Sequence, residues 1–347
     1  MDTRDVWRIR RAGSLDRLAR VRDELADPRP AEARVRVAAV GLNFADLFAC
    51  LGLYSATPKG AFVPGLEFAG TVEAVGASAP GPVRVGDQVF GLTRFGAYAT
   101  AVTLDARYLW PVPPGWSLVQ AAAFPVQALT AWYGLVELGG LGVGEAVLLH
   151  SAAGGVGLNA LAILAARQAR VVATVGGAAK RDFLLDGYGL RSEQIIVRDR
   201  RTFAAQLDRA LAALGMRGFD VVFDAIGGPF FRPGYDRLLA EGRYVVYGAA
   251  DFMSPGSRPG YLGLALKYLR RPRLDPLRMM AENKSVLAFN LIWLWERVER
   301  LAPAFDAILP LICTPPAIGR RFGFADAPQA LRYLQRGENI GKVVLEV

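Results

Sequence analysis

The chain has 347 residues, 52% of them hydrophobic and 21% charged, long enough for two globular domains with cores of ordinary size. The composition excludes a collagenous, low-complexity or disulfide-rich protein: the 2 cysteines, Cys50 and Cys313, form no C-x-x-C pair, and His150 is the single histidine. The formal charge of +9 comes from arginines spread through the chain with no stacking-aromatic motif beside them, which argues against nucleic acid as a partner.

A zinc site needs three or four ligands from Cys, His, Asp or Glu, and this sequence offers no such grouping, so no metal is expected. His150, at the end of an apolar run, reads as a satisfied core or loop histidine rather than a catalyst. The N-terminus lacks the apolar core and cleavage site of a secretory signal. The stretch Val286 to Trp295 is interrupted by Asn290 and too short to span a bilayer, so a cytoplasmic protein is expected.

In chain order, residues 1 to about 119 read as short strands and turns rather than helices. Ala33 to Val40 and Gly70 to Gly76 alternate as half-buried strands, Val83 to Leu92 carries a turn between two strand-like pieces, and Gly96 to Val102 is one more strand. Together they predict a small, mainly β domain. Val119 to Leu138 reads as a helix with Ala121, Ala122, Phe124, Leu129, Trp132 and Tyr133 on its apolar side.

The stretch from Ala146 to Val175 reads as strand, glycine turn, helix, strand. The run Ala146 to His150 is short and apolar, as a strand buried on both faces should be, and Leu158, Leu161, Ala162, Ala165 and Ala166 recur at helical spacing. Between them, Ala152-x-Gly154-x-x-Gly157 places small residues where a backbone can approach a pyrophosphate that meets the helix N-terminus. The motif alone also fits a tight turn that binds nothing, but its βαβ setting favours a dinucleotide site. Where an NAD site would carry an acid, this chain reads Val175-Gly176-Gly177-Ala178-Ala179-Lys180-Arg181. Lys180 and Arg181 open the next helix, where a cation can meet a 2′-phosphate; NADP(H) is expected, against two solvated surface charges as the alternative.

Further on, Gln194 to Val197 and Phe219 to Asp224 predict buried strands with a helix from Phe203 to Leu214 between them. Residues 251 to 284, with a helical Leu262 to Leu269 and then Arg270-Arg271-Pro272-Arg273, read as a mobile basic flap: a solvated insertion, a substrate lid or a membrane-surface contact. Trp293 to Leu311 predicts a helix, Ala330 to Gln335 another, and Lys342 to Val347 a final strand.

The motifs Asn43-Phe44-x-Asp46…Gly52-x-Tyr54, Pro64-Gly65-x-Glu67-x-x-Gly70, Val85-Gly86-Asp87-x-Val89 and Ala152 to Gly157 follow one another in order. Asp224 to Gly228, Gly242 to Gly248 and Gly341 to Leu345 continue the series. Over nearly its whole length the chain resembles the zinc-independent quinone oxidoreductase and enoyl reductase branch of the medium-chain dehydrogenase/reductase superfamily. The resemblance implies an α/β fold, with a Rossmann doubly wound parallel sheet at 120–292, including the flap at 251–284. A GroES-like mainly-β catalytic domain would take in 1–119 and 293–347.

It also implies NADPH as cofactor and hydride transfer to a quinone or an α,β-unsaturated carbonyl. Asn43, Thr130, Ala153, Gly154, Gly155, Val156, Gly176, Lys180, Gly227, Tyr247, Gly248, Asn339 and Lys342 are the cofactor-binding candidates. Gly227, Gly248 and the backbone near Ala249 would line the nicotinamide side, or serve only as turn residues. The catalytic candidates are Tyr54, as proton source or as a pocket wall, Asn43, as an amide holding substrate or nicotinamide ribose, and Asp46, which reads rather as a residue that caps or orders the loop. Cys50 stands where the family usually has arginine, which weakens substrate inferences drawn from quinone reductases. The flap and the segment Glu282 to Leu291 are similar to the synaptic vesicle amine-transport protein subgroup, which implies a homodimer through the Val286–Leu291 strand. Two alternatives remain: an enoyl-thioester reductase of a polyketide or fatty-acid pathway, and a regulatory NADPH-binding protein acting at a membrane or with a partner.

Overall fold

The computed structural model describes residues 2–81, 83–312 and 314–347, and the sequence reading of Cys313 lies outside the described residues. Its strands are β1 (Thr3–Ile9), β2 (Leu18–Glu24), β3 (Glu32–Gly41), β4 (Glu67–Val75), β5 (Gln88–Leu92), β6 (Ala101–Asp105) and β7 (Leu109–Pro111) in the first third. β8 (Ala146–Leu149), β9 (Arg170–Val175), β10 (Ile195–Val197), β11 (Phe219–Asp224), β12 (Leu238–Val246) and β13 (Ser285–Ala288) form the middle, and β14 (Ile318–Gly323) and β15 (Lys342–Glu346) close the chain.

β1 and β2 pair with each other, and a larger sheet runs β14-β15-β3-β4-β5-β7 with β6 also on β3. β3 shows why this sheet forms: Val35 and Val37 are buried while Arg36 between them is exposed, the period of two that puts one face on a core. Phe90 on β5 meets Phe124, Phe305 and Trp110 at ring-centre distances of 5.8, 5.2 and 5.9 Å, which locks the helix Val298–Ile308 onto this sheet. Residues 298–308 thus belong to the first core although they follow the second sheet in sequence.

The second sheet, in the order β10-β9-β8-β11-β12-β13, is parallel throughout. Counted from β8, that order is 3-2-1-4-5-6, the doubly wound Rossmann arrangement, and the strand order reverses between β8 and β11. β8 is buried at every position, as a central parallel strand covered on both faces requires. The helix Gly155–Ala166 crosses from β8 to β9; it buries Leu158, Ala160, Leu161, Ile163 and Leu164, while Ala165 and Ala166, expected on its apolar face, are exposed.

Several elements differ from the sequence reading. The expected helix Val119–Leu138 is three pieces, Leu118–Ala122, Pro125–Trp132 and a π-helical Tyr133–Leu138, because Pro125 restarts the helix as its first residue. A helix, Phe44–Cys50, interrupts the β-rich first third. Strand β6 begins only at Ala101, after a bend at positive φ through Phe95 and Gly96. The expected Trp293–Leu311 helix starts at Val298, after a short 3₁₀ turn at Leu291–Leu294. The flap holds two helices, Tyr261–Leu269 and Pro276–Glu282, neither with a buried residue.

Candidate active site

A cavity of about 730 Å³ opens where the strand order reverses and runs on to the first sheet. One end is backbone. Ala153, Gly154, Gly155 and Val156 line it at the start of the helix Gly155–Ala166, whose first-turn N–H groups have no carbonyl one turn back to bond. Gly157 is dictated by closeness: a Cβ there would lie 2.5 Å from the carbonyl oxygens of both Ser151 and Ala152. The segment carrying Asn339 and Gly341 lies across the turn, with Gly341 N–H bonded to the Ala153 carbonyl at 2.8 Å.

Two cations stand beside Gly176 in this end. Lys180 Nζ donates to the Gly337 carbonyl at 2.6 Å, and burial, helped by Arg198, pushes its pKa down to about 8. Arg198, at the end of β10, lines the cavity and donates from Nη1 to Thr174 Oγ1 at 2.8 Å. Burial lowers its pKa to about 10 against the pull of Asp224. Arg181 instead pairs with Asp182 at 2.8 Å and does not line the cavity. Arg198 was not anticipated; its only signal is a basic residue directly after a buried strand, next to the strand that ends at Val175. Behind it, Thr174 Oγ1 lies 3.1 Å from His150 Nδ1. The same hydroxyl accepts from Arg198, and the buried His150 Nε2 is left without a partner. His150 is therefore a core residue satisfied on one side only, and burial pushes its pKa down to about 4.

At the other end, side chains make a buried polar wall. Asn43 caps the helix Phe44–Cys50; its backbone N–H donates to Asp46 Oδ2 at 2.8 Å and its Nδ2 to Glu67 Oε1 at 2.8 Å. Lys342, from β15, forms an ion pair with Glu67 and donates to Asn43 Oδ1 at 2.9 Å. Glu67 Oε2 accepts the Val126 N–H at 2.8 Å, tying the wall to the helix Pro125–Trp132. Both amide atoms of Asn43 are thus engaged inside the wall. Asp46 does not line the cavity: it is fully buried, accepts from Tyr98 at 3.2 Å, and its pKa is raised to about 7, chiefly by desolvation. It orders the loop instead of facing substrate. Sequence reasoning quoted Glu67 without giving it a role.

Tyr54 reaches this end and donates its hydroxyl to Asn290 Oδ1 at 2.7 Å. Burial raises its pKa to about 12. Thr130 lines the cavity with its hydroxyl bonded to the Val126 carbonyl at 2.6 Å, and Tyr247 lines it while stacking on Phe223 at 4.2 Å. Gly248 and Ala249 line it; Gly227 does not, while its neighbours Ala225 and Ile226 do. Cys50 is buried, its thiol pushed up by desolvation.

Among the described residues there is no group of three or more His, Cys, Asp or Glu that could hold a metal ion. Nor is any helix among them long and apolar enough to cross a membrane.

Residues 29–114 match the model of the alcohol dehydrogenase GroES-like domain, and 190–345 that of the zinc-binding dehydrogenases. The chain is 31% identical to the zebrafish (Danio rerio) synaptic vesicle membrane protein VAT-1 homolog over 90% of its own length and 64% of the relative's. It is 30% identical to the rat (Rattus norvegicus) VAT-1 homolog over 92% and 77%. A mycocerosic acid synthase-like polyketide synthase of Mycobacterium tuberculosis is 33% identical over 98% of this chain, which spans 15% of that protein. Among solved structures, Escherichia coli quinone oxidoreductase complexed with NADPH superposes with a TM-score of 0.81 at 26% identity, covering 100% of both chains. CurK enoyl reductase superposes at 0.79 and 26%, covering 99% of each. With its Rossmann sheet, GroES-like domain and this likeness to both reductase types, the chain belongs to the medium-chain dehydrogenase/reductase family of oxidoreductases, in its zinc-independent quinone oxidoreductase and enoyl reductase branch.

Proposed function

We propose that this protein is an NADPH-dependent reductase of quinones or α,β-unsaturated carbonyl compounds that works without zinc. The observation that carries the reading is the continuity of one cavity from the glycine turn, with Lys180 and Arg198 beside it, to Tyr54 and Asn290. The turn end fits the cofactor: Gly157 leaves no room for a Cβ, and free helix N–H groups face the space where a pyrophosphate would lie. Ala153 to Val156 would hold the pyrophosphate, Lys180 and Arg198 the 2′-phosphate, and Gly248, Thr130 and Asn339 would border the remainder. When bound, NADPH supplies the hydride. The chain orients the acceptor and keeps water from it, while the wall of Asn43, Glu67 and Lys342 fixes the floor on which the acceptor lies.

We assign the cofactor-binding domain to 120–292 and the catalytic domain to 1–119 and 293–347, and we take the protein to be a cytoplasmic homodimer. β13 supports the dimer, since among the described residues it has β12 on one side and no strand on the other.

The test is NADPH oxidation by purified protein. 1,2-Naphthoquinone and crotonyl thioesters serve as competing acceptors; NADPH binding with no turnover on either class would overturn the enzyme reading. Preference for the thioester would select an enoyl reductase, which the likeness to the polyketide synthase supports. One observation favours the regulatory, membrane-associated alternative: eight of the twelve exposed large hydrophobic side chains among the described residues lie between 261 and 280, interleaved with Arg270, Arg271, Arg273 and Arg278. Flotation with anionic but not neutral liposomes, in a protein without turnover, is the result that alternative requires.

A further inference from the structure

Two donors converge on one oxygen at the substrate end of the cavity. Tyr54 donates to Asn290 Oδ1 at 2.7 Å, and the Ile292 N–H approaches the same atom at 3.4 Å, because Asn290 caps the turn Leu291–Leu294. A flipped amide would set its NH₂ against that N–H, so the cap fixes which atom faces which way. Asn290 lines the cavity, and its Nδ2 has no partner among the described residues. Asn290 directly follows β13, at the carboxyl end of the parallel sheet, where ligands of doubly wound folds lie.

We propose that Asn290 Nδ2 is the donor that meets the substrate's carbonyl oxygen, and that Tyr54 is a positioning residue that holds and polarises the Asn290 amide. This rests on the reductase reading. Tyr54 has one proton, and it is already given to Asn290; donating it to substrate would break a 2.7 Å bond inside a mostly buried site. Its raised pKa makes it a still poorer acid. Of the other amides that line the cavity, Asn43 has both ends engaged by Glu67 and Lys342, Asn339 donates to the Gly341 carbonyl at 3.0 Å, and Gln127 lies against Gly155 at the glycine turn, the opposite end. The hydrogen bond accepted at Oδ1 draws electron density from the amide and strengthens its N–H as a donor. During reduction of an enone, the β-carbon takes the hydride, the C=C electron pair shifts onto the carbonyl oxygen, and a solvent proton completes the α-carbon while the reductant is oxidised to NADP⁺. A neutral donor aimed at that oxygen stabilises the charge as it develops, more so in a water-poor cavity.

The variants Asn290→Asp, Asn290→Leu, Tyr54→Phe and Tyr54→Phe/Asn290→Asp test it. Asn290→Asp keeps both acceptor contacts and removes the donor; Asn290→Leu removes the donor without adding charge. Each Asn290 variant should lose about 10²- to 10³-fold in kcat, the usual cost of one such donor. Tyr54→Phe should lose roughly tenfold, the double variant should fall no further than Asn290→Asp, and NADPH affinity should stay within about twofold throughout. The second readout needs no turnover: the carbonyl stretch of 4-phenyl-3-buten-2-one bound beside NADP⁺ should be shifted down in the wild type and in Tyr54→Phe, and relaxed in both Asn290 variants. A stretch unchanged by Asn290→Asp and Asn290→Leu, or a larger kcat loss in Tyr54→Phe than in Asn290→Asp, overturns the assignment. A wild type that binds the enone yet oxidises no NADPH defeats the reductase reading alone, and the stretch still decides the role of Asn290.

Discussion

The two ends of the cavity are built by opposite means. The cofactor end is backbone: a glycine turn, a helix start and a strand end within the βαβ unit from β8 to β9, shaped by what small residues permit. The substrate end is side chains that meet across the fold, Tyr54 with Asn290 at a separation of 236 positions and Lys342 with Asn43 at 299. The first end is backbone geometry with two cations beside it, and it is intolerant of bulk. The second is a charge balance, tolerant of shape and intolerant of a missing partner.

That contrast can be broken, and the strongest attempt is Lys342→Met. It leaves the Glu67 carboxylate buried without its cation, and the expected loss is ~3–5 kcal/mol in urea denaturation. A loss below about 1 kcal/mol would mean that the wall does not depend on the pair. At the other end, Gly157→Val drives a side chain into two backbone carbonyls. Overpacking of that kind costs ~1–3 kcal/mol, and NADPH affinity measured by fluorescence quenching should fall by about 10- to 100-fold.

Lys180→Ala should weaken NADPH about tenfold and leave NADH nearly unchanged, in isothermal titration of both. Equal losses for the two coenzymes would remove the 2′-phosphate contact. Because the Lys180 pKa is near 8, the wild-type preference for NADPH should also decline as pH rises through 8, and Lys180→Ala should abolish that slope.

The smallest effect is a pair of opposed titrations. Asp46 is raised to about 7 in the folded chain, so its contribution is complete below its unfolded pKa near 3.8 and is lost as pH rises toward 7. His150 is lowered to about 4, so its contribution is complete above its unfolded pKa near 6.5 and is lost as pH falls toward 4. Between those limits the two slopes oppose each other. Thermal unfolding of Asp46→Asn should therefore show stability rising with pH from 4 to 6.5 more steeply than in the wild type; a parallel profile would separate Asp46 from the balance.

The same contrast governs what could be read in advance. Ala146 to Val175 was legible because its cues are local: a period of 3.6, an apolar run and small residues at a turn all report neighbours along the chain. Lys180 followed from that frame. Arg198 did not, because it enters through the pairing of β10 with β9, a fact of topology. Asn290 looked like a break in an apolar stretch until the sheet brought it to Tyr54, and Glu67 looked like a motif letter until β15 delivered Lys342 to it. Asp46 and Gly227 were named as site residues by family position, and neither lines the cavity; Asp46 is fully buried in the loop it was also expected to order. The split of the Val119–Leu138 helix was written in Pro125, whose ring suits a helix start better than a helix interior.

β15 sits between β14 and β3 and carries the lysine of the polar wall. During synthesis this strand leaves the ribosome after every element it joins, so Glu67 and Asn43 wait for their cation while the Rossmann sheet already has all six strands. The nascent protein can complete its six-stranded sheet early, but both the segment that lies across the glycine turn and the lysine of the polar wall arrive last, and an interrupted translation product would carry a formed dinucleotide fold with its cleft open at both ends.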